Sequence, residues 1–161
     1  MTGALLALAL AGTPALLQQE WEAPYGEQGE SGKHLFLTAW GGEAFDTSGN
    51  GRTSGTFGGE VAWAFDQLDV GVAGYGYNGL TPARAWTPVG MLRLTQRVTM
   101  RTGVEATFGF GLGAGELKGW VPWFQVALGV RIPLGPLVLG GELSFERYYL
   151  LGLRAGLGLA F

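Results

Sequence analysis

The feature that most constrains the fold is a strict alternation of residues at the end of the chain. From residue 149 to residue 161 every second residue is apolar, and the residues between them are mostly small, with one charge at Arg154. A period of two places successive side chains on opposite faces of an extended strand, so this segment has one apolar face and one small or polar face. Much of the chain after residue 33 repeats the pattern. The sequence therefore predicts a protein built from β-strands.

Composition favours a membrane environment for these strands. Charged residues make up 14% of the chain, compared with about 25% in soluble domains. The chain contains no apolar run of the ~20 residues that a membrane-spanning helix needs. Because backbone groups inside a bilayer must be hydrogen-bonded within the protein, an apolar chain of this kind can cross as a closed β-barrel. The net charge of −3, without a basic stripe, argues against nucleic acid as a partner.

Two segments precede the predicted strands. Residues 1–15 form a short apolar run ending in small residues, which predicts a signal peptide cleaved after Ala15. An amphipathic or buried N-terminal helix is the alternative for this run. Residues 16–32 are predicted to be an acidic flexible linker, because residues 18–32 are mainly polar, carry four glutamates and show little periodicity. The barrel is predicted to occupy residues 33–161.

Turn-forming residues divide the alternating region into eight predicted strands. One of these strands is predicted at residues 98–112. Longer and shorter connections alternate, as in outer-membrane barrels, which have an even number of strands of about 9–11 residues. The main predicted connections are the loops at 43–55 and 78–87 and the tight turns at 67–68, 95–97 and 133–136. The predicted fold class is an all-β, eight-stranded antiparallel up-and-down transmembrane β-barrel with both chain ends on the periplasmic side.

The polar faces of the strands are expected to line the lumen. A soluble lipocalin-like barrel would have the opposite arrangement, but a water-facing surface normally carries many charges of both signs. These faces are instead chiefly Gly, Ala and Thr with isolated charges. Buried charges must pair, and an eight-stranded barrel is narrow enough to be filled by its own side chains. The predicted lumen charge network is Glu60, Arg93, Arg101, Glu105, Arg131, Glu142 and Arg154, with Asp66 and Gln125 nearby.

This network is predicted to plug the lumen and to hold the strand register. Glu142 is expected opposite Arg154 across the last hairpin, and Arg101 beside Arg131 near the periplasmic end. The alternative is a gated ion path along the same charges.

Aromatic residues are expected to form a girdle at each membrane interface, as in outer-membrane barrels. The alternative is that aromatic residues are simply common in strands. Phe36, Tyr75 and Tyr77 are also expected near strand ends. The predicted girdle residues are Trp63, Phe65, Trp86, Phe108, Phe110, Trp120, Phe124, Phe145, Tyr149 and Phe161.

The alternating run at residues 153–161, which ends on a phenylalanine, carries a family resemblance. In this respect the chain resembles the small eight-stranded outer-membrane barrels, such as the OmpA transmembrane domain, OmpX and OmpW-like proteins. The resemblance implies a location in the bacterial outer membrane and contact with its lipid. It also implies that the barrel-assembly machinery recognises the last strand, with Phe161 as the assembly signal.

No catalytic, cofactor or metal site is predicted. His34 is the single histidine and the chain has no cysteine, so neither a multi-histidine nor a cysteine metal site can form. A hydrolase site would need partners at the same height as His34. The glycines at 109, 111, 113 and 115 lack the βαβ context of a nucleotide-binding loop.

We therefore expect a non-enzymatic outer-membrane barrel with a structural and surface-display role. A narrow, porin-like channel or transporter for small solutes is the alternative, and a lipid-modifying enzyme is less favoured. Whether the barrel also binds a partner protein in the envelope is left open by the sequence.

Overall fold

The computed structural model describes residues 34–48, 51–81 and 84–161. The predicted signal peptide at 1–15 and linker at 16–32 lie outside these residues. No helix in the described ranges is long and apolar enough to cross a membrane. A 3₁₀ turn, Arg147–Tyr149, separates the last two strands. The strands are β1 (Leu35–Asp46), β2 (Thr53–Phe65), β3 (Leu68–Thr81), β4 (Arg84–Thr99), β5 (Glu105–Glu116), β6 (Trp120–Leu134), β7 (Leu137–Glu146) and β8 (Leu150–Ala160).

The strands form one closed sheet. Each strand pairs antiparallel with its neighbour in sequence, and β8 pairs with β1 to close the barrel. At this seam the backbone nitrogen of Phe161 donates to the Leu35 oxygen at 3.0 Å, and the Leu35 nitrogen donates to the Phe161 oxygen at 3.2 Å. Closure removes the unpaired edges that an open sheet would expose. The predicted eight-stranded antiparallel barrel is confirmed.

Inside and outside have opposite polarity. Large apolar side chains point outward along the strands; Leu92 is 69% exposed and Leu128 is 59% exposed. Charged side chains such as Arg93 and Arg154 point inward and are buried. This arrangement is the reverse of a soluble barrel, as the sequence predicts. We name the end with the start of β1 and the last residue of β8 the lower end, and the opposite end the upper end.

The facing of β1 is ambiguous in the sequence because both of its faces are apolar. In the structure Phe36 and Trp40 are buried inside the barrel, while Leu37 and Ala39 are exposed outside. The indole nitrogen of Trp40 is then close enough to donate to a carboxylate of the lumen, Glu60.

The predicted turn at 95–97 is wrong. β4 continues to Thr99, and the chain reverses between Met100 and Val104, whose backbone groups are joined by a 2.7 Å hydrogen bond. Gly103 supplies the positive φ of +79° that this turn requires. The predicted strand at 98–112 is therefore split, and β5 begins only at Glu105. Alternation continues through the turn in the sequence, which is why the pattern does not mark it.

The upper connections are shorter than predicted. The flanking strands extend into both predicted loops. Within the loop predicted at 43–55, β1 continues to Asp46 and β2 begins at Thr53. Within the loop predicted at 78–87, β3 continues to Thr81 and β4 begins at Arg84. At the first connection an Asp46 carboxylate oxygen accepts a hydrogen bond from the Ser48 backbone nitrogen at 2.8 Å. Such a local bond is typical of a tight turn.

Candidate functional site in the barrel lumen

Inward-facing charges form two ionic clusters in the described part of the chain. The lower cluster lies toward the lower end, near Phe36, and the upper cluster lies above it. The lower cluster consists of Asp69, Arg97, Glu105 and Arg131. The upper cluster consists of Glu60, Arg93, Glu142, Glu146 and Arg154.

The lower cluster has equal numbers of acidic and basic groups. Asp69 accepts hydrogen bonds from Arg97 Nε at 2.9 Å and from Arg131 Nη1 at 2.5 Å. Arg97 Nη1 also donates to Glu105 at 3.2 Å. The ring of Phe36 lies 5.5 Å from the guanidinium carbon of Arg97 and 5.2 Å from that of Arg131. Ion pairs and cation–π contacts thus stabilise the same two arginines.

Glu142 is at the centre of the upper cluster. Arg154 Nη1 donates to one of its carboxylate oxygens at 3.3 Å, and Arg93 Nη2 donates to the other. Glu142 and Arg154 are direct register partners on β7 and β8, as predicted. Arg93 reaches Glu142 from β4, on another side of the barrel. The two guanidinium groups therefore join three strands across the lumen.

Glu146 is the most thoroughly bonded carboxylate of the lumen. Trp123 Nε1 donates to it at 3.1 Å and Gln125 Nε2 at 3.0 Å. The Ser144 hydroxyl donates at 2.9 Å, and the remaining two donors are the Tyr77 hydroxyl and Arg154 Nη2. Five donors satisfy its acceptor sites, so this buried carboxylate is stabilised by hydrogen bonds as well as by charge.

Glu60 has weaker contacts than the other two carboxylates of the upper cluster. Its Oε2 atom is 3.4 Å from Trp40 Nε1 and 3.4 Å from Arg93 Nη1. Its Oε1 atom is buried and has no hydrogen-bond partner. Arg93 Nη1 donates a shorter bond, 2.9 Å long, to the Tyr75 hydroxyl.

Inward glycines provide the space that the large lumen side chains fill. A Cβ atom on Gly156 would lie 2.6 Å from the Trp40 ring, and one on Gly109 would lie 2.8 Å from Arg93 Nη2. Because protein interiors are close-packed, the side chains of Trp40 and Arg93 fill the space that is left where the strands have glycine.

Gly156→Ala is expected to lower the free energy of unfolding by about 1–3 kcal/mol, because the added methyl group overpacks the lumen against Trp40. Gly41→Ala is the matched control, since a Cβ at this outward glycine would meet nothing within 4 Å. Urea unfolding of both variants in lipid vesicles measures the difference. Equal stability of the two variants would contradict the packing of Trp40 on Gly156.

Arg101 does not belong to the lumen. Six of the seven predicted network residues point inward, but Arg101 lies in the exposed turn between β4 and β5. The prediction that Arg101 lies beside Arg131 is wrong; the β5 register partner of Arg131 is Glu105. Asp66 is also outside, in the exposed turn before β3, with a positive φ of 53°.

Sequence reasoning missed several lumen residues. Arg97 has the same alternation phase as the inward residue Arg93 but falls in the predicted turn at 95–97, and Asp69 follows the predicted turn at 67–68 with the same phase as the inward residue Ala73. Glu146 has the same phase as Glu142 and is the last residue of β7, where alternation along the strand ends. The missed neutral residues of the lumen include Phe36, Trp40, Tyr75 and Tyr77.

The ten predicted girdle residues all point outward, at different heights. Phe108 and Phe110 lie well inside β5 rather than at its upper end, because that strand begins at Glu105. Phe36, Tyr75 and Tyr77, also expected near the interfaces, are inside the barrel. Toward the lower end lie Trp63, Phe65 and Phe161, and toward the upper end lie Trp86, Trp120, Phe124, Phe145 and Tyr149.

The single histidine, His34, lies outside the two ionic clusters. His34 is exposed at the lower end and stacks on Trp63, with ring centroids 6.3 Å apart. Within the described ranges no three residues of the types His, Cys, Asp and Glu are grouped to hold a metal ion.

Comparisons with known proteins bear on the fold. No protein-family model matches the chain, and no curated protein sequence matches it. The crystal structure of Neisserial surface protein A (NspA) is similar, with a TM-score of 0.58 and 14% identity, covering 81% of this chain and 98% of that chain. The two chains share a fold. The likeness to NspA does not single out OmpA, OmpX or OmpW, so that finer resemblance stays a prediction.

Proposed function

We propose that this chain is a small integral outer-membrane barrel with a structural role in the envelope and a lumen closed by its own side chains. The observation that carries the proposal is the reversed polarity of the barrel, with large apolar side chains outside and paired charges inside. An outward apolar band suits acyl chains, and a polar interior is characteristic of outer-membrane barrels.

Closure of the lumen is supported by packing and by charge. Trp40 lies across Gly140 and Gly156, and Trp123 lies against Gly115. The lower and upper clusters add ion pairs that join strands across the barrel. A hydrated passage would require these groups to separate, and a buried charge that loses its partner is strongly destabilising.

The outer-membrane location and assembly route are parts of the same proposal. The word "surface" in the name of NspA supports the location. Lipid is the expected partner of the outward face. The alternating strand β8 pairs with β1, and we propose that the barrel-assembly machinery recognises β8, with Phe161 as the signal, before closure. Surface display would involve the short upper connections, where Trp120 and Tyr149 are exposed.

We also propose that the barrel is not an enzyme. The charged lumen groups hold one another in ion pairs, and His34 is exposed at the lower end. Mass spectrometry of envelope lipids from cells with and without the protein tests this; a lipid modification that depends on the protein would contradict it.

The purified barrel is expected to give no conductance steps in planar lipid bilayers, because the lumen is filled. An open porin added to the same bilayer shows that insertion is detectable. Regular conductance steps of constant size, whose frequency rises with the concentration of this protein, would favour the channel alternative. They would contradict the closed-lumen proposal.

A further inference from the structure

A groove crosses the outer face of the barrel at the seam where β8 meets β1. Ala39 on β1 and Gly59 on β2 are register partners, and both face outward with little or no side chain. Thr38 and Glu60 also line the groove, although their side chains point into the lumen, so main-chain atoms form part of its floor. The groove has a volume of about 620 Å³, within the range of about 300–1,000 Å³ that is usual for small-ligand sites.

Leucine and valine side chains form the walls of this groove. They come from β1, β2 and β8 and from the start of β7, and they are 39–54% exposed. None of the wall side chains is polar, so the groove is complementary to an apolar ligand. The wall residues are Leu37, Val61, Leu137, Leu157 and Leu159.

The groove opens toward the lower end of the barrel. Leu137 is the first residue of β7, and Leu159 is next to the last residue of β8, whereas Ala39 and Gly59 lie near the middle of their strands. Trp63, on the same outward face of β2, is 49% exposed below the groove. Because tryptophan is enriched at membrane interfaces, the groove extends from the lower interface toward the hydrocarbon interior.

We propose that this groove binds one acyl chain of a phospholipid from the leaflet at the lower end. The inference rests on the proposed membrane location, because only a barrel in a bilayer exposes this face to lipid. A flexible hydrocarbon chain can follow a narrow groove between leucine side chains, and burial of apolar surface on both partners stabilises the contact.

Other occupants fit the groove less well. A two-fold dimer places the same surface of both copies together, so a dimer centred here would bring two grooves face to face and leave their space unfilled. A loop of another protein would expose backbone groups to hydrocarbon at this depth without hydrogen-bond partners. An acyl chain has neither difficulty.

Native mass spectrometry of the barrel, released from phosphatidylcholine vesicles into mild detergent, measures the lipid that stays bound. One retained phospholipid per barrel is expected for the wild-type chain, whereas lipid that merely surrounds the barrel is washed away. Gly59→Leu is expected to lower the lipid-bound fraction several-fold, because the leucine side chain would fill the groove. The barrel can accept this change, since a Cβ at Gly59 would lie 3.5 Å from the Thr38 oxygen, an ordinary contact distance.

Gly90→Leu is the matched control, because Gly90 is an outward glycine of β4 away from the groove and its added Cβ would meet nothing within 4 Å. It is expected to retain lipid as the wild-type chain does. A wild-type barrel without retained lipid would overturn the proposal, as would equal retention by Gly59→Leu or a dimer that Gly59→Leu dissociates. Should Gly59→Leu fail to insert, Ala39→Leu places the leucine on the register partner.

Photo-crosslinking before the detergent step separates this inference from the proposed membrane location. A phospholipid with a diazirine on its acyl chain is expected to label the outward face of the wild-type chain and of both variants. Labelling of all three proteins without retained lipid would overturn the acyl-chain site alone. If none of the three were labelled, the membrane location would be contradicted as well.

Discussion

Arg154→Ala is expected to lower the free energy of unfolding by about 3–5 kcal/mol, the usual cost of removing one partner from a buried ion pair. Arg154 is 2% exposed and donates to both Glu142 and Glu146. Its loss would leave the three carboxylates of the upper cluster, Glu60, Glu142 and Glu146, with the single remaining guanidinium of Arg93. The cation–π contact of Arg154 with Tyr75, 4.2 Å from the ring centroid, is lost as well.

Urea unfolding in lipid vesicles, followed by the gel shift between folded and unfolded barrel, measures this effect. Arg101→Ala is the matched control, because Arg101 lies in an exposed turn, and is expected to change stability by less than about 0.5 kcal/mol. Similar decreases in the free energy of unfolding of both variants would contradict a stabilising role of the Arg154 ion pairs in the lumen.

Leu92→Arg is expected to destabilise the membrane-embedded barrel by about 2–4 kcal/mol, the cost of a lipid-facing arginine near the bilayer midplane. Leu92 lies in the middle of β4 and is 69% exposed on the outer face. In water the same substitution at so exposed a position would cost almost nothing. The prediction therefore tests the environment of the outer face directly.

Leu134→Arg is the matched variant, since Leu134 is the last residue of β6 and is 52% exposed. Near an interface the expected cost falls to about 0–1 kcal/mol. Both variants are compared by refolding and urea unfolding in vesicles. Equal tolerance of arginine at the two heights would mean that lipid does not cover the middle of the barrel.

Alternation predicts the facing of residues well because a strand has only two faces. Glu60, Glu142 and Arg154 were placed inside for this reason alone. Strand ends are harder, since a turn can keep the alternation: Val98, Met100 and Val104 continue one apolar row although a turn separates them. The misplaced turn explains both the wrong position of Arg101 and the failure to find Arg97.

Contacts across the lumen could not be predicted from the sequence. Arg93 and Glu142 are 49 residues apart and lie on strands that are not neighbours. Whether they meet depends on the stagger between all intervening strands, and alternation along one strand contains no information on stagger. The pair Glu142 and Arg154 was predictable because a single short hairpin fixes its register.

The packing of Trp40 on glycines of β7 and β8 has a consequence for how this barrel can evolve. The Trp40 indole occupies the volume that the glycines at positions 140 and 156 leave empty. The combined side-chain volume at these three positions is therefore limited. A bulkier residue at either glycine is compatible with the barrel only alongside a smaller one at position 40. Homologous sequences should therefore covary at these three sites, even where the identity of each residue has drifted.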